Sequence, residues 1–168
     1  MLVDGQKKLS GYLALSAWLM IAPFLSNCGK SHDNNNPPVI VTGNEKIHII
    51  TSLFGGNAAF NAFTVTIDEQ GNISQVTTDF NNNPVINQAG QITEPEMNDM
   101  RYLVIAANVF ALNDRYECTE NCPTDMPGTS LDVAVDGQTK RISFNTVPSD
   151  AVSALLRKID ELCQIHLK

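Results

Sequence analysis

Positive charge, aromatic rings and histidine are all scarce in this chain. Its 168 residues include 11 Lys and Arg against 18 Asp and Glu, a net charge of −7, and the sequence pI is about 4.8. An acidic surface disfavours a nucleic-acid backbone or an anionic membrane face as partner. The acids are dispersed rather than clustered, which suits a solvated surface. Only three histidines occur, His32, His48 and His166, far apart in sequence, and neither Gly-x-Ser-x-Gly nor His-Glu-x-x-His is present. That removes the commonest signatures of hydrolases and zinc peptidases. Asp132 and Asp136 share the outward side of one expected strand and are the nearest thing to paired carboxylates, but surface alternation explains them equally well. No cofactor or metal is expected.

Apolar runs are short as well. The longest, Gly11 to Leu25, covers 15 residues and contains Pro23. It is too short for a bilayer span and matches the apolar core of a secretory leader, with Lys7 and Lys8 as the positive segment before it. The alternative is an uncleaved signal anchor from Leu9 to Ser26, which would export the rest of the chain equally. The run closes on Leu25-Ser26-Asn27-Cys28. This resembles the lipobox of bacterial lipoproteins, in which the cysteine becomes the lipidated first residue. Asn27 departs from the Gly, Ala or Ser usual before that cysteine. The resemblance implies a signal peptide over 1–27 and lipidation at Cys28. With Gly29 rather than Asp next, it also implies an outer-membrane location. Residues 28–45 then form a flexible tether, since Gly29 to Pro38 has almost no apolar side chain.

The remainder, 46–168, reads as one domain. Lys46 to Leu53 is β-branched and apolar, and Val39 to Thr42 is a candidate edge strand before it. Phe54-Gly55-Gly56-Asn57 marks a turn. A phosphate cradle there would need a basic residue or a helix start, and neither follows. Phe63, Val65 and Ile67 alternate with Thr64, Thr66 and Asp68, the pattern of a half-buried strand. Glu69 to Asn72 turns the chain, and Ile73 to Thr78 returns with room for a bulge. Asp79 to Gln91 is Asn-rich and is expected to be a long loop. Thr93-Glu94-Pro95-Glu96 carries a capping box and a first-turn proline. Met97, Met100, Val104, Ala107 and Ala111 follow at helical spacing, with the helix ending between Asn108 and Asn113. Phe110, Leu112 and Tyr116 are the expected anchors of the return. Asp136-Gly137 joins Ser130–Val135 to Thr139–Asn145 as a hairpin. Ser149 caps a last helix whose buried side is Val152, Leu155, Leu156, Ile159, Leu162 and Cys163. His166 lies at its frayed end and is expected to be incidental. The resulting class is α+β: an antiparallel sheet of four to five strands with two helices packed on one face.

Glu117 to Gly128 holds the one local constellation with chemistry in it. Cys118 and Cys122 fit a structural disulfide in an oxidising compartment. A zinc site would need more ligands nearby, and a redox pair would normally be Cys-x-x-Cys. Glu117, Glu120 and Asp125 lack calcium-loop spacing. A bond from Cys163 to either cysteine stays open at this level.

Two glycines before an alternating strand, the Asp68–Gly71 turn, the capped helix, Phe110 to Tyr116, the cysteine pair, the Asp136-Gly137 hairpin and the closing helix together resemble small exported bacterial domains, some lipidated. More distantly the span Lys46 to Leu162 is similar to emfourin-type inhibitors of thermolysin-like metalloproteases. The tether, the lack of catalytic motifs and the small stapled domain point to a non-catalytic envelope domain that binds another envelope or secreted protein. The second resemblance implies a protease inhibitor but carries over no inhibitory residue; its mark would be a rigid loop over Phe54, Gly55, Gly56, Asn57 and Phe60, the candidate binding loop, protruding to fill a protease cleft. A structural surface protein with no specific ligand is the third class.

Overall fold

Strand after strand places an apolar side chain at every second position, and these positions share one face of one sheet. The computed structural model describes residues 42–54, 62–120, 122 and 126–167. Its elements are β1 (Ile47–Phe54), β2 (Ala62–Ile67), β3 (Asn72–Thr78), β4 (Pro84–Gln91), α1 (Glu94–Ala107), a 3-10 turn (Val109–Ala111), β5 (Arg115–Tyr116), β6 (Gly128–Val135), β7 (Gln138–Phe144) and α2 (Asp150–His166). The strand order is β4-β3-β2-β1-β6-β7-β5. Every pairing is antiparallel except β5 with β7, which is parallel.

The expected α+β class stands, but the sheet has seven strands and is mixed, not four to five and antiparallel. Two elements account for the difference. Asp79 to Gln91 is not a long loop. The Asp79 carboxylate accepts hydrogen bonds from the amides of Asn81 and Asn83, Asn82 turns with φ 62, and β4 follows. Its Asn, Gln and Gly residues have low strand propensity, yet pairing along β3 overrides it. β5 is too short to leave a periodic signal.

Registers align the buried residues in rows. Ile73, Ile67, Ile49 and Val133 cross four strands, and Val65, Thr51, Leu131 and Ile142 cross the next row. Both helices cover this face. Met97, Met100, Val104 and Ala107 of α1 are buried there with Val152, Leu155, Leu156, Ile159 and Leu162 of α2. Burying such side chains contributes roughly 1.5–3 kcal/mol each. The opposite face has no helix over it among the described residues.

The helix ends follow their local signals. The Glu96 carboxylate accepts from the Thr93 amide and hydroxyl, both at 2.7 Å. Asn108 closes α1 in the left-handed region at φ 47. Ser149 Oγ accepts from the Val152 amide. The hairpin turn has φ 48 at Asp136 and 84 at Gly137, both positive as that tight turn requires. Past α1 the expected anchors are only partly right. Leu112 and Tyr116 pack on the core, whereas Phe110 and Ala111 are exposed and Val109 is the buried residue.

Ahead of β1, the Glu45 carboxylate closes a turn by accepting from the amides of Thr42 at 2.6 Å and Gly43 at 3.0 Å. These bonds, that from Thr42 foremost, lower its pKa to about 2. Arg101, buried within α1, donates to the Glu45 carbonyl at 2.9 Å and to Glu94 and Asn98 at 2.7 Å each. One guanidinium thereby ties the start of the domain to α1.

Candidate functional site

Among the described residues, one face of the sheet is left without a covering element. It is built from the positions between the buried ones. One row runs Ala89, Ser74, Thr66, Ile50, Asp132, Arg141 across six strands. The next runs Asn87, Val76, Thr64, Ser52, Ser130, Ser143. Most of these side chains are short, and many carry a hydroxyl. Ser52 Oγ and Thr64 Oγ1 share a hydrogen bond of 3.0 Å. Arg141 grips Asp132 with two contacts, Nε to Oδ1 at 2.7 Å and Nη2 to Oδ2 at 3.0 Å. Short side chains in register make a shallow wall suited to broad contact rather than an enclosure around a small substrate.

His48 lies on this face, half-buried, and its Nε2 is buried with no hydrogen-bond partner. Beyond the β1–β2 register it stands near Asp68. Burial opposes ionisation of Asp68, but bonds from Asn72 and Gln70 outweigh it and hold its pKa below the ordinary value. Asp132 and Asp136 form no carboxylate pair. Asp132 is held by Arg141, and Asp136 Oδ1 accepts from the Lys46 amide at 3.0 Å.

Cys118 and Cys122 stand at disulfide distance. The Cys118 amide donates to Asn145 Oδ1 at 2.8 Å, so the small loop is fastened to the end of β7. Cys163 is a free thiol. Burial, helped by the nearby Asp160, pushes its pKa up to about 12, and the residue packs, partly buried, against the core. Of the candidate binding loop, Phe54 is described. It is 46% exposed and its ring lies over Gly128, where a Cβ would come within 2.5 Å of it. Gly55, Gly56, Asn57, Phe60 and the lipidation candidate Cys28 lie outside the described residues.

Three features had no sequence signal strong enough to announce them. One is a cleft of about 330 Å³ between the end of α1 and the β6–β7 hairpin, floored by Val104 and Val135 and rimmed by Phe110, Glu45 and Asp136. Both carboxylates already accept backbone amides. The second is the His166–Glu96 pair. His166 is not incidental: its Nε2 sits 3.0 and 3.1 Å from the two oxygens of Glu96, joining the end of α2 to the start of α1. The i-to-i+70 separation hides such a pair from any local reading. The third is Gly90 in β4, where a Cβ would meet the His166 carbonyl oxygen at 2.4 Å. Only glycine admits the end of α2 so close to the strand.

Among the described residues no group of three His, Cys, Asp or Glu could hold a metal ion. No described helix is long and apolar enough to cross a membrane. No protein-family model matches the chain, and no curated protein matches it either.

Proposed function

We propose that this chain is a cell-envelope lipoprotein, anchored through lipid on Cys28 at the outer membrane, whose domain binds another protein without catalysing a reaction. The observation that carries the binding role is the one-sided sheet. Two helices bury one face, and the other presents two rows of short side chains in register. The Cys118–Cys122 pair supports export, since such bonds persist in oxidising compartments. The leader and the polar tether supply the anchoring half of the reading.

A photo-crosslinking residue at Thr66, in the middle of the wall, tests the binding half in intact envelopes. A defined crosslinked protein that disappears when Thr64→Arg is added is the expected result. Products no different from those of an unrelated lipoprotein would overturn it. The inhibitor reading is favoured by one feature, the half-exposed Phe54 at the lip of β1. Titration against a thermolysin-like protease separates the two. Stoichiometric inhibition with the domain left uncut supports the inhibitor, and undiminished proteolysis removes it.

A further inference from the structure

The two edges of the sheet are unequal. At one end β5 has two residues, and at the other β4 has eight, Pro84–Gln91. A long unpaired edge is a template for another strand, and proteins usually blunt it with charge, proline or a bulge. In β4 the blunting is confined to the start. Pro84 opens the strand, and the register shift opposite Thr77 and Thr78 leaves Val85 as the extra residue. From Ile86 to Gln91 there is no charged side chain and no proline.

The hydrogen-bond phase shows what this edge offers. The Ile92 amide donates to the Gly71 carbonyl at 2.9 Å. Antiparallel pairs alternate between bonded and unbonded, so Gly90, Gln88 and Ile86 bond inward to β3. The amides and carbonyls of Asn87, Ala89 and Gln91 therefore point outward, along an edge that no described strand pairs. Exposed apolar side chains gather at the same margin: Phe80 in the β3–β4 turn at 69%, Val85 at 58%, and Ile165, in the turn of α2 that meets β4, at 50%.

We infer that β4 pairs antiparallel with β4 of a second copy of this chain, joining two sheets about a two-fold axis near Gln88 and Ala89. The composition of the strand fits a second copy of itself. A strand paired with itself sets identical residues in or near opposition, and like charges there are destabilising. The chain carries −7 overall, yet none of the eight residues of β4 is ionisable, so self-pairing opposes no like charges along the strand. The two-fold also brings the exposed Val85 and Ile165 of each copy to the joint, a self-complementary arrangement typical of isologous dimers.

Sedimentation of the full chain in density-matched detergent, across a dilution series, tests this. The expected result is a reversible dimer. Asn87→Lys with Ala89→Lys sets lysines against lysines in either register and should weaken it about tenfold or more. Gln138→Lys with Thr139→Lys, two lysines at exposed positions of β7, should leave it unchanged. Hydrogen exchange on the unmodified chain gives a second readout. The amides of Asn87, Ala89 and Gln91 should exchange more slowly as concentration rises. A monomer at every concentration, or a dimer indifferent to the β4 lysines, would overturn self-pairing. In the first case the edge remains open to an extended segment of a different protein.

Discussion

Two side chains in the core are chemically out of place. Thr51 and Thr77 are each 2% exposed, and their hydroxyls have no hydrogen-bond partner. Burying an unpaired hydroxyl costs free energy that an apolar group of similar shape does not. Thr51→Val should therefore raise unfolding free energy by about 1 kcal/mol, read by denaturant titration; a loss of stability would show that the hydroxyl finds a partner. Glu96 makes the opposite case. Its bond with His166, and then those from Thr93, lower its pKa from 4.5 to about 2. The unfolded chain takes up this proton first as pH falls. The stabilisation is thus full above about pH 4.5 and is lost as pH falls through 2. Glu96→Gln should cost about 1 kcal/mol at neutral pH, with the difference from the unmodified chain vanishing near pH 2. An equal deficit at both pH values would contradict the pairing.

Among the elements, those with a repeating pattern were legible and those without were not. β1, β2, β6 and β7 show the apolar alternation of strands buried on one face, and α1 and α2 carry caps that match their sequences. β4 was invisible because its partly buried positions, Ile86, Gln88 and Gly90, are not a row of apolar side chains, so nothing in Asn-Gln-Ala-Gly-Gln alternates in polarity. Gly90 looked like a loop residue for the same reason. The structure gives it a packing role against the His166 carbonyl. Gly90→Ala should push the end of α2 off the sheet, costing about 1–3 kcal/mol as an overpacked site does. It should also accelerate exchange of the last α2 amides, measured by hydrogen–deuterium exchange. Unchanged protection there would mean that the helix end shifts without strain.

At the scale of the molecule, the class and the favoured cysteine pair were readable in the sequence, but the full sheet was not. Period-two patterning located one buried face and left the other polar, and this much fixes an open, one-sided sheet. The wall around Thr64 and Thr66 was readable strand by strand. Its order was not, since registers across six strands depend on pairings distant in sequence. The His166–Glu96 pair and the cleft beside Phe110 were hidden for the same reason. Cys118 and Cys122 were legible because the pair is local.

Anchoring is central to the proposed function: a domain proposed to bind at a surface must be held there. The most direct measurement is the mass of the N-terminal peptide of protein extracted from membranes. The expected product is a chain that begins at Cys28 and carries acyl groups. A retained leader, or a start at any other residue, would contradict it.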